Sequence, residues 1–222
     1  MSITALWGKQ VDVFVSGNSF FRGKLIESGK DILVLSDGER FVYIPLLHVH
    51  RINLSPIIND HLSDPTETSL AKDVKTISYR TILTNAKGLF TEIYVTGNIS
   101  LHGYIIGVRN DYFAFYSPVY KTILISLHHL KWLIPYGLKT SPYTLCKKKL
   151  PIIPSDIPLL RSFKEQIKKW EGELVVFDTG EDPAKIGLVK KVNETMLELV
   201  IANGETVYLN SLISNLLTYL NV

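Results

Sequence analysis

The sequence predicts a mainly β protein in which three small five-stranded barrels follow one another, with one or two short connecting helices. The first observation is the strict alternation over Val11–Val15, which is typical of a strand with two different faces. The second is a tight Gly-Asn turn at Gly17 that recurs at Gly97. The third is a strand-interior glycine that follows each turn, at Gly23 and at Gly103.

The spacing of these glycines indicates an internal repeat. Gly97 follows Gly17 by 80 residues, and Gly103 follows Gly23 by the same 80 residues. A third, weaker copy begins at Leu174 and carries glycines at positions 180 and 187. A fixed period of this kind reports the architecture before any local motif is interpreted. Because a glycine inside a strand weakens it unless the strand bends there, we expect a sharp bend at each copy of Gly23.

The remaining strands of the first copy follow from turn signals. Ser28–Asp31 leads into a strand at Ile32–Leu35, and Asp37-Gly38 predicts a hairpin before the next strand, Phe41–Pro45. Val49–Ile52 completes five strands. The corresponding strands of the other two copies are predicted at Tyr112–Phe115, Thr122–Ile125, Leu130–Leu133, Met196–Ile201 and Val207–Asn210.

These patterns give five segments: barrel 1 at 1–54, a connector at 55–82, barrel 2 at 83–136, a basic proline-rich linker at 137–155, and a helix with a divergent barrel 3 at 156–222. The helix before barrel 3 is predicted from apolar residues at helical spacing, with Ser155 as its N-cap. The apolar residues are Leu160, Phe163, Ile167 and Trp170.

The composition is that of an ordinary globular protein. The net charge of +3 is too small to indicate a nucleic-acid or membrane partner, although eight Lys or Arg and two acids lie between Gly137 and Lys169. Such a segment is either a solvated face or a contact for phosphate. Cys146 is the one cysteine, so an intrachain disulfide is excluded and a reducing compartment fits. We expect a protein that is cytoplasmic at synthesis, with no membrane partner.

The first copy resembles the bacterial Hfq protein of the Sm-like family, whose fold is a small SH3-like barrel. The residues that carry this resemblance are Val13-Phe14, Gly23, Ile26-Glu27-Ser28, Val34-Leu35 and Val42-Tyr43. Residues 20–26 and 43–49 are also similar to a Sm-related domain of spore-forming bacteria that is often labelled spore-coat-like. The resemblance implies Sm-like barrels and suggests an association with sporulation and the spore coat.

The resemblance also implies what the chain lacks. Hfq binds uridine-rich RNA through an aromatic residue after the Glu-Ser pair and through a Tyr-Lys-His triplet, which supply stacking and a cation. Here the aromatic position is Gly29, and the triplet reads Tyr43-Ile44-Pro45. We therefore expect the fold without the RNA pocket.

The leading hypothesis is a non-enzymatic structural or assembly protein that acts through protein–protein contacts. Three barrels could form half of a six-barrel ring that a homodimer completes, or they could form a three-lobed monomer. The alternative is a divergent RNA-binding protein that uses the basic segment 137–169 and the aromatic residues of barrel 2. No catalytic constellation and no cofactor are predicted.

The candidate site residues are of two kinds. Histidines and tyrosines of barrels 1 and 2 form a predicted interaction surface: Tyr43, His48, His50, Tyr112, Tyr116, Tyr120, His128 and His129. Lysines supply predicted phosphate contacts: Lys147, Lys148, Lys149, Lys164 and Lys168. His48 and His50 lie two apart on a predicted strand and could ligate a metal from one face, but no third ligand lies at a useful spacing.

Overall fold

The computed structural model describes residues 3–57, 65, 69–71, 76–137, 142–144 and 158–210, together with the backbone of 216–219. The protein is mainly β, as predicted. The strands are β1 Gln10–Val15, β2 Ser19–Ser28, β3 Ile32–Ser36, β4 Phe41–Pro45, β5 Val49–Leu54, β6 Phe90–Val95, β7 Ile99–Val108, β8 Tyr112–Ser117, β9 Lys121–Ser126, β10 Leu130–Pro135, β11 Leu174–Phe177, β12 Ile186–Val192, β13 Met196–Ile201, β14 Thr206–Asn210 and β15 Leu216–Tyr219. The α-helices are α1 Tyr79–Asn85 and α2 Phe163–Lys168.

The chain divides into two compact units that do not follow the predicted barrel boundaries. The first unit contains Met1–His102 and Leu130–Lys149, and the second contains Gly103–His129 and Leu150–Val222. The boundary therefore falls inside β7. We refer to β1–β5, β6–β10 and β11–β15 as repeats 1, 2 and 3, so that the strands of repeat 2 belong partly to each unit.

In the first unit, repeat 1 is a sheet in the order β4-β3-β2-β1-β5, and β10 and β6 continue it beyond β4. These strands pair antiparallel with their neighbours. The alternation predicted for the first strand is present, because Val11, Val13 and Val15 are buried in one core. Leu25, Leu33 and Ile44 of the neighbouring strands join them.

In the second unit, repeat 3 is a sheet in the order β15-β11-β12-β13-β14, and β9 and β8 continue it beyond β15. Its core packs the face of α2 against the strands. Phe163 and Ile167 of the helix lie in one cluster with Phe177, Val189 and Leu199 of the sheet. β15 was not predicted, and it supplies the fifth strand of repeat 3.

The sheets are open, which corrects the expectation of closed barrels. β4 does not return to β5; it pairs with β10, the last strand of repeat 2. In the second unit β9 pairs in the same way with β15. Each of these fourth strands therefore satisfies its outer hydrogen-bonding edge with the fifth strand of the following repeat.

The strand-interior glycines bend the second strand of every repeat at the same place. A Cβ atom on Gly23 would overlap the backbone carbonyl of Ser36, and the same holds for Gly103 with Tyr116 and for Gly187 with Val200. A β-bulge follows soon after in each copy, between Leu25 and Glu27 in repeat 1 and at the corresponding positions of β7 and β12. Glycine is needed because the second and third strands approach each other too closely for a side chain.

The helix of repeat 3 begins later than predicted. Ser162 is the N-cap of α2, and Ser162 and Glu165 form a complete capping box. Ser155 lies outside the described residues, and Leu160 precedes the helix. The Ser-x-x-Glu spacing at 162–165 was the available signal for this start.

Replacing Gly23 with alanine tests the steric role of these glycines. We expect Gly23→Ala to destabilise the protein by about 1–3 kcal/mol, because the new methyl group must displace the Ser36 backbone. The matched control is Gly204→Asn: nothing lies within 4 Å of the Gly204 Cβ position, and asparagine tolerates its φ of 85°. Urea denaturation measures both variants. Equal midpoints for the two variants would contradict the steric explanation.

Candidate interaction surface at the sheet edges

Two pairings inside the chain join the fourth strand of one repeat to the fifth strand of the next. We call them internal joints. Tyr43 of β4 lies opposite Leu133 of β10 in the first unit. Leu124 of β9 lies opposite Leu217 of β15 in the second unit. Hydrogen-bonded strand edges are thus the means by which successive repeats are connected.

The two internal joints use the same register. Tyr43 and Leu124 are equivalent because they pair with the third residues of β3 and β8, Val34 and Ala114. By the same criterion Tyr208 of β14 is the equivalent residue of repeat 3, since it pairs with Glu198 of β13. The equivalent residues of the fifth strands are those paired with Val13, Ile93 and Phe177, namely Ile52, Leu133 and Leu217.

The fourth strand of each internal joint buries a side chain. Leu124 is 1% exposed and lies in the core cluster that contains Phe163 and Phe177 of repeat 3. Tyr43 is also 1% exposed, and its hydroxyl oxygen accepts a hydrogen bond from the Leu70 backbone N–H at 2.7 Å. Burial raises the pKa of the Tyr43 hydroxyl, which keeps it protonated and able to bond Ser69.

An aromatic stack adds to the joint in the first unit. The Trp132 ring of β10 lies parallel to Tyr94 of the same repeat, with centroids 4.0 Å apart and an interplanar angle of 8°. Phe21 of repeat 1 meets Trp132 edge-on, with centroids 4.9 Å apart. Trp132 therefore contacts both repeats, and such a pair contributes about 0.5–1.5 kcal/mol beyond its buried area.

An aspartate of one repeat caps the helix that enters the next. Asp31 Oδ1 accepts a hydrogen bond from the Tyr79 N–H at the start of α1, at 2.8 Å. Asp111 Oδ1, 80 residues later, accepts from the Phe163 N–H at the start of α2, also at 2.8 Å. The residue equivalent to Asp31 and Asp111 in repeat 3 is Thr195, which directly precedes β13 and is exposed.

The fourth strand of repeat 3 presents one open edge. Among the described strands, β14 has β13 as its one neighbour. Tyr208 is 62% exposed, although its equivalents in the internal joints are buried. The residue beside it is Glu198, where repeats 1 and 2 have Val34 and Ala114. From Glu194 to Asn210 there are three glutamates and neither lysine nor arginine.

The last strand of repeat 1 presents the other open edge, since β5 has β1 as its one neighbour among the described strands. His50 and Arg51 are exposed, and Leu54 is 56% exposed. The Arg51 guanidinium lies 4.1 Å from the ring centroid of Phe14. Arg51 lies opposite Phe14 of β1, and Trp132 lies opposite the equivalent residue of β6, Tyr94. Arg51 therefore occupies in repeat 1 the position that Trp132 occupies in repeat 2.

A partly buried ion pair supports the sheet next to β5. Arg22 donates two hydrogen bonds to the Asp12 carboxylate, at 2.8 and 2.9 Å. These hydrogen bonds lower the pKa of Asp12, so the carboxylate stays charged beside the guanidinium. The bidentate geometry fixes β1 against β2 at the edge that carries β5.

Several predicted surface residues are buried, which corrects the predicted interaction surface. Tyr43, Tyr112 and Tyr116 lie inside the protein. The Tyr112 hydroxyl is 2.9 Å from the Leu160 carbonyl oxygen, and burial raises its pKa to about 12. Tyr120, which is 45% exposed in the β8–β9 hairpin, does lie on the surface. The covering groups come from distant parts of the chain: Leu70 of the connector bonds Tyr43, and Phe163 of α2 packs on Tyr112.

The histidines do not form the predicted face. His48 lies in a 3-10 turn at Leu46–His48 and is buried, with Nδ1 3.2 Å from Ser16 Oγ, whereas His50 lies on β5 and is exposed. His128 and His129 lie in the equivalent turn, Leu127–His129. His48 thus lies in the turn and His50 on the strand after it, whereas His128 and His129 both lie in the turn. Within the described part of the chain, no group of three His, Cys, Asp or Glu could hold a metal ion.

The predicted phosphate contacts are only partly described. Lys147, Lys148 and Lys149 lie outside the described residues. Lys164 Nζ is 2.7 Å from Glu194 Oε2, so its charge is already paired, while Lys168 lies in the last turn of α2.

None of the helices in the described ranges has the length and apolar character of a membrane-spanning segment.

Position 29 has no space for a side chain. A Cβ atom on Gly29 would overlap the backbone of Ile77, which lies directly against it. The connector therefore requires glycine at the position where the resemblance to Hfq leads us to expect an aromatic residue.

A relative covers nearly the whole chain. The uncharacterized protein YwrJ of Bacillus subtilis (strain 168) is 48% identical over 201 residues, which are 89% of each chain. The chain belongs to the YwrJ family. Residues 162–212 also match the family of the YwrJ third domain, and this match spans α2 and β11–β14.

The sequence prediction missed the residues that distinguish the open edges. Tyr208, Ile52 and Arg51 were not among the candidate residues. The signal was present in the repeat itself: Tyr208 aligns with Tyr43, and Arg51 aligns with Trp132. Comparing the chemistry of equivalent positions would have identified them, because terminal repeats differ from internal ones where they lack a neighbour.

The aspartate cap gives a testable difference between repeats. We expect Asp111→Ala to destabilise the protein by about 1 kcal/mol, because the N–H at the start of α2 loses its acceptor. Thr195→Ala is the matched control at the equivalent, exposed position, and we expect it to change stability by less than about 0.5 kcal/mol. Thermal and urea unfolding measure both. A cost at Thr195 as large as that at Asp111 would contradict this role for the aspartate.

Proposed function

We propose that the protein is a non-enzymatic structural module of three Sm-like repeats that assembles with protein partners through its open sheet edges. The observation that carries this proposal is the contrast between equivalent positions. Tyr43 and Leu124 are buried in internal joints, whereas Tyr208, at the same place on β14, is 62% exposed.

The physics of strand edges supports this function. An edge strand presents unpaired N–H and C=O groups that can pair with another strand, and natural proteins normally cover, charge or distort such edges. Here the chain twice uses strand pairing as a means of connection. The fold therefore already contains a mode of association, and among the described strands β5 and β14 have the open edges that can extend it.

The Sm-like interpretation of the repeats is supported by shared geometry. Repeats 1 and 3 have the same strand order, and all three second strands contain a bulge after a sterically required glycine. The match of residues 162–212 to a third domain agrees with three units. A role in the spore coat belongs to the proposal through the resemblance of residues 20–26 and 43–49, and comparing the protein's abundance in purified coats and vegetative cells tests it.

The RNA-binding alternative has weaker support. Stacking of single-stranded bases needs exposed aromatic faces next to cations. Tyr112, Phe113, Phe115 and Tyr116 of repeat 2 are buried, and Gly29 stands against Ile77. Among the aromatic residues on which this alternative depended, Tyr120 is exposed and the other four are buried, which leaves one ring rather than a row of rings for stacking.

Light scattering after size-exclusion chromatography tests the proposed assembly. At tens of micromolar, we expect particles heavier than the 25.1 kDa chain, and Tyr208→Lys should weaken their association about tenfold or more because a cation replaces the apolar contact. Tyr120→Lys, at a tyrosine that is 45% exposed but remote from β14 in sequence, is the matched control and should assemble like the unmodified protein.

A strictly monomeric protein over this concentration range, with no protein partner captured through β5 or β14, would contradict the proposal. Equal weakening by the two lysine substitutions would also contradict it, because the effect would then not depend on the edge.

A further inference from the structure

We infer that the partner of β14 is β5 of a second copy of the chain, paired antiparallel with Tyr208 opposite Ile52. This inference rests on the proposed function and deepens it, since it names the partner and the register. The contact between the two molecules would repeat the fourth-to-fifth strand joint that occurs twice within the chain.

The register follows from the two internal joints. In each, one position of the fourth strand lies opposite one position of the fifth: Tyr43 opposite Leu133, and Leu124 opposite Leu217. The same positions on the open edges are Tyr208 and Ile52. Because side chains alternate along a strand, a shift of one residue would turn Tyr208 away from the core that its equivalents enter.

The side chains at these positions suit each other. Ile52 packs on the core of repeat 1 beside Val13 and is only partly buried. In the internal joint of the second unit, Leu124 enters the core of the following repeat. Tyr208 would enter the core of repeat 1 in the same way and would cover Ile52, burying apolar surface that both strands now expose.

The charges of the two edges favour opposite edges over like edges. The segment from Glu194 to Asn210 carries three glutamates and no lysine or arginine of its own, but Glu194 and Glu198 pair with Lys164 and Lys190. Residues 46–55 carry Arg51 and no acid. Pairing β5 with β5 would bring two Arg51 side chains together, whereas pairing β14 with β5 brings Arg51 to a segment that carries glutamates, which disfavours the wrong pairing.

The new joint differs from the internal ones in two places. Glu198 stands where the internal joints have Val34 and Ala114, and Arg51 stands where the first internal joint has Trp132. Both changes replace apolar surface by charge. The intermolecular joint should therefore be weaker than an internal one, and it should weaken further as salt screens the two charged edges.

Cysteine cross-linking tests the register. In a Cys146→Ser background, Ile52→Cys and Tyr208→Cys are made as separate proteins, mixed at tens of micromolar, and treated with a short thiol-to-thiol linker. We expect a band at twice the 25.1 kDa chain mass from the mixture. Directly opposite Cβ atoms lie about 4.5–5.5 Å apart, which is within reach of such a linker.

A second pair of cysteine variants is needed because replacing Ile52 removes a side chain that packs on the core of repeat 1. Leu54→Cys and Thr206→Cys are two residues away in opposite directions, so the same register places them opposite each other, and Leu54 is exposed. The control mixture combines Ile52→Cys with Tyr120→Cys, which is exposed but lies in the β8–β9 hairpin, and it should give no such band. We expect raised salt to reduce cross-linking in both edge pairs several-fold.

The outcomes separate this inference from the proposed function. If the protein associates but neither edge pair cross-links, the register is wrong while the assembly function stands. Cross-linking of Tyr208→Cys with itself would indicate like-edge pairing and overturn the inference. Cross-linking within single chains of the doubly substituted protein at high dilution would also overturn it. A strictly monomeric protein would overturn both.

Discussion

The close approach of the second and third strands in each repeat is the constraint on which the rest of the structure depends. At Gly23, Gly103 and Gly187 a backbone carbonyl stands where a Cβ atom would be, and a bulge follows. The second strand can therefore bend and pair on both sides. In repeats 1 and 3, that bend leaves the fourth and fifth strands at opposite edges of a five-stranded sheet. Both connections between repeats inside the chain then join a fourth strand to a fifth strand.

The two internal joints share their backbone geometry but differ in their side chains. Their register is the same, yet Tyr43 and Leu124 are different side chains, and the aromatic stack of Trp132 lies in the first joint. The aspartate that caps the next helix is kept in both joints. Strand pairing and the hydrogen bond from the aspartate are thus common to both connections between repeats. The apolar side chains that pack there differ. This tolerance explains how the third repeat keeps the strand order although its sequence resembles the first only weakly.

Local signals in the sequence predicted the strands well. Met196–Ile201 coincides with β13, and the glycine spacing located all three bends. The failures concern contacts between distant segments. Tyr112 and Tyr116 were expected on a surface, but both are buried, and Tyr112 packs against Phe163 of α2. The pattern that placed His48 and His50 on one strand did not reveal the turn between them. The edge chemistry of Tyr208 and Arg51 became visible only when equivalent positions were compared.

The charges at the open edges fit a contact between molecules better than a purely apolar joint would. An internal joint forms between segments of one chain, whose effective concentration is high, so it can rely on apolar burial. A contact between molecules must also offset the loss of translational and rotational freedom, about 4–15 kcal/mol. An exposed apolar edge strong enough for that would also pair with unrelated strands. Arg51 reduces this hazard at β5, because it keeps that exposed edge charged until a partner covers it. The charge at the open edge thus makes the contact between molecules weaker than an internal joint but more specific for its partner.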